Sequence, residues 1–141
     1  LFKSKNKFLK FKFIKNIFNR YNDKYHNQIG SVRHLCLLKK KNYLEIFYTK
    51  IGDKPERIYQ GILKLFKDER NWNVKSQKEI LRPTKVYEGS EIKVRISRSG
   101  PSKKIENALR DPYVIVDKIN TYLLYCVKGE KGIALAKIIY K

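Results

Sequence analysis

Runs of β-branched, aromatic and other apolar residues divide the first half of the chain into short strands. SVRHLCLL (31–38) and NYLEIFYT (42–49) are separated by the three lysines Lys39 to Lys41. This spacing predicts an antiparallel hairpin with a solvated lysine turn. IYQGILKLF (58–66) predicts a further strand, in which Gly61 favours a bulge or a close approach of another part of the chain.

The middle of the chain predicts a short helix, a strand and a loop. Asn73 is a favourable N-cap for a helix over VKSQKEILR (74–82), which Pro83 would end. EIKVRIS (91–97) then alternates strictly between apolar and polar or charged residues, which predicts a strand with one buried face. Gly, Pro and basic residues follow in 98–112, a composition typical of a long exposed loop.

The last part of the chain predicts a second hairpin and a terminal helix. YVIV (113–116) and TYLLYCV (121–127) are nearly continuous apolar runs joined by a turn-length segment. In GEKGIALAKIIYK (129–141), apolar residues would cover most of a helix surface. The order of elements predicts an α+β fold, in which an antiparallel sheet of hairpins packs with two helices as a sandwich. We expect one such RNA-binding domain at 23–141, preceded by a basic aromatic N-terminal arm at 1–22.

The arm combines lysines with aromatic residues and contains no acidic residue. Phe11, Ile14, Phe18 and Tyr21 follow helical spacing and would form one apolar face. The lysines are predicted to neutralise phosphates while the aromatic side chains dock or stack. A flexible tail or an amphipathic targeting segment would have a similar composition. From composition alone, the predicted nucleic-acid contacts of the arm are Lys3, Lys5, Lys7, Lys10 and Lys12.

The net charge of +20 on 141 residues predicts a polyanionic partner. The apolar content of 42% suffices for a folded core rather than a disordered tail. Cys36 and Cys126 lie far apart in the sequence and do not suggest a disulfide scaffold, which favours a reducing compartment. No apolar run reaches the roughly 18 residues of a spanning helix, and no signal segment opens the chain, so we expect neither a membrane span nor secretion.

Residues with catalytic or metal-binding chemistry are sparse. His26, His34, Cys36 and Cys126 supply only one close pair, His34 and Cys36, for which packing is the preferred interpretation. The glycines form no phosphate-binding loop, and the two histidines give no recognisable triad. We therefore predict a protein that is not an enzyme and that carries no metal and no cofactor.

From about residue 60 onwards, the chain resembles the ribosomal protein L-sixteen family of bacterial and organellar large subunits. In that family a helix carrying Q-x-E-x-x-R precedes a glycine turn and a strand of the type K-I-W-I-R-I. Here Gln77, Glu79 and Arg82 precede Gly89 and EIKVRI. The family continues with a basic loop containing T-K-K, two strands and an Ala-rich helix. This chain continues with Pro101, Ser102, Lys103 and Lys104, then YVIVDK, YLLYCV and KGIALAKIIYK.

The resemblance implies a structural constituent of the large ribosomal subunit, in a mitochondrial or other organellar ribosome or in a bacterial-type cytoplasmic one. Its partners would be large-subunit rRNA near the central protuberance and the aminoacyl-tRNA path, neighbouring ribosomal proteins, and tRNA through residues 98–112. By resemblance, the residues in contact with rRNA would be Arg82, Arg95, Lys103 and Lys104. Charge and loop position add Lys85, Arg98 and Arg110.

Two other functions share this composition. A fragment of an organellar intron nuclease would also be basic, although the sequence shows no paired-carboxylate motif for a catalytic metal. A peripheral membrane protein would place the Phe and Lys residues of the arm on anionic lipid. Without the resemblance, the residues predict only a basic α+β protein that binds RNA.

Overall fold

The protein is built almost entirely of antiparallel β-strands. A computed structural model describes residues 1–4, 10–18 and 31–140, and within these ranges it contains nine strands, two short 3-10 turns and no α-helix. The turns are Glu69–Asn71 and Val86–Glu88. The strands are β1 (Phe2–Ser4), β2 (Phe11–Phe13), β3 (Val32–Lys39), β4 (Tyr43–Lys50), β5 (Ile58–Lys64), β6 (Val74–Leu81), β7 (Arg110–Asp117), β8 (Asn120–Val127) and β9 (Gly132–Ile138).

The strands form three sheets, and every pair of neighbouring strands is antiparallel. The arm forms the two-stranded sheet β1-β2, and the other strands form a four-stranded sheet, β3-β4-β5-β6, and a three-stranded sheet, β7-β8-β9. Side chains from both larger sheets meet in the main core, where burial of apolar surface holds the sheets together. The core consists of Cys36, Phe47, Ile58, Leu109, Leu123, Tyr125 and Val127.

A second apolar cluster covers the other face of the four-stranded sheet. Ile46, Tyr48, Leu63 and Val74 are buried there, and Ile17, Phe18 and Trp72 are among the residues packed against them. The rings of Phe18 and Tyr48 meet edge to face, with their centroids 5.0 Å apart. The end of the arm is therefore part of the packing of the domain, and β4 is covered on both of its faces.

The predicted α+β class is wrong, because both predicted helices are strands. Of residues 74–82, Val74–Leu81 form β6, which adds a fourth strand to the sheet by pairing with β5. The C-terminal segment forms β9, in which Ala134, Ala136 and Ile138 pack against the main core while Ile133 and Leu135 face outward. Apolar residues on both faces of β9 conceal the two-residue period, so the segment has the composition of a buried helix.

The predicted strand over EIKVRIS (91–97) is also wrong. These residues run without regular secondary structure between the 3-10 turn at Val86–Glu88 and β7, and Val94 and Ile96 are exposed. An alternating pattern forms a strand only where a sheet edge is available to pair with it. Within the described ranges, this segment pairs with none.

Strands are confirmed at 31–38, 42–49, 58–66, 113–116 and 121–127, where they form β3, β4, β5, β7 and β8. The role predicted for Gly61 is confirmed as well: the β5–β6 register shifts beside it, and a Cβ at this position would collide with Val74. The predicted helical face of the arm does not form at Phe11, which lies in β2. Tyr21 lies outside the described residues.

Candidate nucleic-acid interface

The irregular segment 89–109, here called the basic loop, borders a cavity of about 950 Å³. Seven basic side chains line this cavity; one of them, Arg110, is buried, and the other six belong to exposed residues. We call them the six cavity cations: Lys54, Lys93, Arg95, Arg98, Lys103 and Lys104. Within the described ranges, no carboxylate lies within ion-pair distance of any of the six. Glu56 and Glu106 also line the cavity, but both pair with Arg110, which leaves the six cations without acidic partners among the described residues.

Hydrogen bonds rather than a sheet hold the basic loop in place. Ser97 anchors its centre, because its backbone nitrogen donates to Asp53 O at 2.8 Å and its hydroxyl donates to Lys50 O at 3.0 Å. Asn107 ties the two ends of the loop together by donating through Nδ2 to Ser90 O at 3.2 Å and to Ile92 O at 3.0 Å. Because these bonds fix the backbone, the cations project from a defined wall.

A buried ion network lies behind the loop. Glu56 is fully buried, and its carboxylate accepts hydrogen bonds from Arg33 at 2.6 and 2.9 Å and from Arg110 at 2.8 Å. Arg110 also donates to Glu106 and Glu130, both at 2.8 Å. Burial alone would lower the pKa of Arg110, but these three carboxylates outweigh it and raise the pKa. Buried charges persist in a fold when they are paired and hydrogen-bonded in this way.

Arg33 connects the ion network to the basic loop. Its side chain donates through Nη1 to the backbone oxygen of Arg98 at 3.0 Å, while its other nitrogens hold Glu56. The parallel bridge between Glu56 and Ala108 fastens the other end of the loop. The cavity wall is thus attached to β3 and to the segment before β5 through groups that lie inside the fold.

The structure brings four of the predicted contact residues together. Arg95, Arg98, Lys103 and Lys104 all line the cavity. Arg110 also borders it, but its guanidinium is 2% exposed and occupied by carboxylates, so in this structure it acts as an anchor. Lys85 is exposed and does not line the cavity.

Arg82 lies on a separate surface. It donates to Glu79, which also receives a hydrogen bond from Arg57 at 2.9 Å. Together these hydrogen bonds lower the pKa of Glu79 to about 2, so the carboxylate is ionised at neutral pH and compensates much of the local positive charge.

Two of the six cavity cations, Lys54 and Lys93, are absent from the sequence-based prediction. Lys93 belongs to the charged positions of EIKVRIS, on the face of the predicted strand opposite its apolar residues. Lys54 stands beside Asp53 in a short loop and shows no local excess of charge. Of the two, only Lys93 could have been found from the sequence, because it lies close to the predicted contacts Arg95 and Arg98.

The lysines predicted in the arm have different positions. Lys3, Lys10 and Lys12 are exposed in or beside the β1-β2 hairpin, and Lys3 forms an ion pair with Glu69. Lys5 and Lys7 lie outside the described residues.

A second cluster, His34, Asp111 and Cys126, lines a cavity of about 600 Å³. His34 Nε2 lies 3.4 Å from Asp111 Oδ1. Burial lowers the pKa of His34 and raises the pKa of Cys126 to about 11, and a hydrogen bond to Asp111 adds to the second shift. The thiol is therefore protonated at neutral pH and is not activated as a nucleophile. In the described part of the chain, no group of three or more His, Cys, Asp or Glu residues is arranged to hold a metal ion.

Comparison with known proteins gives one informative similarity. No family model matches this chain, and no solved structure matches it. The chain is 42% identical over 110 residues to an uncharacterized protein of Acanthamoeba polyphaga mimivirus. The matched region is 77% of this chain and 31% of the viral protein, so the chain spans about a third of the length of that relative.

The resemblance to ribosomal protein L-sixteen is wrong. No model of that family matches, and the similarity found is to a viral protein of unknown role. The structure shows why the motif agreement misled. Gln77, Glu79 and Arg82, taken as a helical motif, lie in or directly after strand β6, and EIKVRI is irregular. The segment matched to the final helix contains strand β9 (Gly132–Ile138).

Proposed function

We propose that this chain is a nucleic-acid-binding module without catalytic activity, and that the six cavity cations are its main phosphate contacts. The observation that carries the proposal is the concentration of these cations, without acidic partners in the described ranges, around one concave surface. Each Lys or Arg that neutralises a phosphate releases a bound counterion, and affinity accumulates over several such contacts.

The arrangement favours a chain of phosphates over a single small anion. A small anion needs only a few convergent donors, whereas these cations are spread along the loop from Lys93 to Lys104 and across to Lys54. The molecule as a whole carries +20, which adds a long-range attraction to any polyanion. A nucleic-acid backbone matches both the local and the global distribution of charge.

The predicted place in the large ribosomal subunit depended on the L-sixteen resemblance and loses its support with it. Large-subunit rRNA remains one of the RNAs to test as a partner. The nuclease and membrane alternatives make different predictions, namely metal-dependent cleavage and binding to anionic vesicles. Within the described ranges, no helix is long and apolar enough to cross a membrane.

Fluorescence anisotropy with labelled RNA and DNA, repeated over a series of salt concentrations, tests the proposal. The logarithm of affinity should fall linearly with the logarithm of salt concentration, with a slope of about −0.7 to −0.9 for each phosphate contacted. Absence of binding at low salt, or binding that salt does not weaken, would contradict the proposal.

Charge-matched variants locate the interface. The triple variant Arg95→Gln, Lys103→Gln, Lys104→Gln removes three of the six cavity cations, and the control Lys39→Gln, Lys41→Gln, Lys64→Gln removes three exposed lysines elsewhere. The first variant should lose much more affinity than the control, and its salt slope should fall by about one for each contact removed. Equal losses in both variants would show that only net charge matters and would reject the cavity as the interface.

A further inference from the structure

The β1-β2 hairpin presents three phenylalanines on one face. Phe2 pairs with Phe13, Lys3 with Lys12, and Ser4 with Phe11. Because successive side chains of a strand point to opposite faces, Phe2, Phe11 and Phe13 share one face, and Lys3 and Lys12 share the other. We call the first the phenylalanine face.

All three rings of the phenylalanine face are open to solvent. Phe2 is 63% exposed, Phe11 is 59% exposed and Phe13 is 51% exposed. The rings of Phe2 and Phe13 pack edge to face at 5.3 Å, which limits the motion of both. A group of exposed aromatic side chains on one face of a soluble protein marks a surface for a partner.

The hairpin is fixed to the rest of the domain from its other side. Lys3, on the opposite face, forms an ion pair with Glu69. Lys15, which follows β2, donates to Arg70 O and to Asn73 Oδ1, both at 2.9 Å. The backbone nitrogen of Val74 donates to Ile17 O at 2.8 Å. These contacts hold the phenylalanine face outward as a preformed surface.

We propose that the phenylalanine face stacks the bases of a single-stranded nucleic acid, so that the protein prefers single strands to duplexes. This inference rests on the proposed function and specifies its substrate class. Every base has a flat π face that an aromatic ring can cover, whereas the bases of a duplex are already stacked on each other. The arm contains no acidic residue, and Lys10 and Lys12 are exposed. Lys12 lies on the opposite face of the hairpin from the rings, so it attracts the phosphates of a bound strand without occupying the stacking surface.

An anionic membrane is the other partner that aromatic and basic residues together attract. The two partners require different properties of the side chains. Stacking requires a flat ring, whereas insertion into lipid requires apolar area, which leucine also provides. The absence of acidic residues suits both partners, but the packed rings of Phe2 and Phe13 and the contacts that attach the strands to the domain favour stacking.

The test compares the double variant Phe11→Leu, Phe13→Leu with Phe11→Trp, Phe13→Trp. A second control, Ile133→Ala with Leu135→Ala, removes exposed apolar side chains from the outward face of β9. The probes are a labelled 20-nucleotide oligothymidine and a labelled 20-base-pair duplex. Wild type should bind the single strand more tightly, and the leucine variant should lose roughly tenfold or more of that affinity. Its duplex affinity should stay unchanged, and the tryptophan variant and the β9 control should retain single-strand binding.

Three results would overturn the inference while leaving the proposed function intact. The first is a leucine variant that binds the single strand with the same affinity as wild type. The second is a leucine variant that loses equal affinity for the single strand and for the duplex. The third is a wild-type protein that binds both probes with equal affinity and also binds phosphatidylserine vesicles, with the vesicle binding retained by the leucine variant. That result would assign the phenylalanine face to membranes. If wild type bound neither nucleic-acid probe at low salt, the proposed function itself would fail.

Discussion

Glu56 is the residue on which the ion network behind the cavity depends. Its buried carboxylate is shared by Arg33 and Arg110 and also accepts a hydrogen bond from Thr49 at 2.9 Å. We expect Glu56→Gln to lower the free energy of unfolding by about 3 kcal/mol, because the buried guanidinium of Arg110 and the half-buried guanidinium of Arg33 lose their shared anion. Urea denaturation at neutral pH measures this change.

The control is Glu91→Gln, which removes an exposed carboxylate 3.6 Å from Lys128. Exposed pairs of this kind contribute about 0 to 1 kcal/mol. If Glu56→Gln were as mild as Glu91→Gln, the network would not support the cavity wall.

His34 gives a pH dependence whose sign follows from its burial. Burial, together with the nearby Arg33, lowers its pKa below the ordinary 6.5, although Asp111 acts in the opposite direction. As the pH falls, His34 therefore binds a proton near pH 6.5 in the unfolded chain, but only at lower pH in the folded protein. The contribution of neutral His34 to the free energy of unfolding is complete above pH 6.5 and decreases below it.

His34→Asn should remove this contribution and make the free energy of unfolding less dependent on pH below about 6.5. Asparagine tolerates the left-handed backbone of position 34, where φ is 53°. Urea denaturation of both proteins at several pH values provides the measurement. If the free energy of unfolding changed with pH equally in the variant and in wild type, His34 would not have different pKa values in the folded and unfolded states.

At the scale of elements, the basic loop depends on the turn from which it begins. Gly89 has φ +91°, and a Cβ there would lie 2.8 Å from Glu106 O. Gly100, in the same loop, has φ +92° but open space around it. Gly89→Ala adds a steric clash to the backbone strain that both substitutions share, so it should destabilise the protein by at least about 1 kcal/mol more than Gly100→Ala.

Thermal unfolding of the two alanine variants tests this comparison. The Gly89 variant should also bind nucleic acid more weakly, because the backbone that carries Lys93 and Arg95 begins at this turn. Equal losses of stability would show that the contact between Gly89 and Glu106 O is not a constraint.

The elements that the sequence predicts correctly are those in which local pattern and tertiary position agree. The hairpin around Lys39 to Lys41 and the pair β7-β8 need only adjacent strands and a turn. The segment 74–82 was predicted as a helix, but most of it forms the strand β6 because it pairs with the free edge of β5. Among the described strands, the segment 91–97 pairs with no sheet edge, so its alternation did not produce a strand. Neither outcome is encoded in the local sequence alone.

The same distinction applies to the candidate site. Charge and loop position predicted Arg98, whereas Arg95, Lys103 and Lys104 were predicted only through the L-sixteen resemblance, although all four cations lie close together in the sequence. The ion network was not predictable, since Arg110 joins Glu56 across 54 positions of the chain. Sequence can therefore indicate which charges are available, while the fold decides which of them are neutralised.

For the molecule as a whole, the net charge of +20 opposes compaction. A polyanion that binds the folded state should stabilise it, so inorganic polyphosphate should raise Tm by about 5 °C or more at low ionic strength. Sodium chloride at the same ionic strength should have a smaller effect, since it only screens the repulsion. A Tm that polyphosphate leaves unchanged or lowers would contradict a polyanion site on the folded protein.

The packing of Ile17 and Phe18 on the four-stranded sheet has a consequence for the order of events during protein synthesis. The backbone of Ile17 bonds to Val74, and Phe18 rests on Tyr48. Ile17 and Phe18 are translated before these partners, so they cannot reach their final positions until β4 and β6 have been translated and paired. Until then, the arm and one side of the growing sheet remain uncovered, and a nascent chain would be most vulnerable to aggregation and proteolysis during that interval.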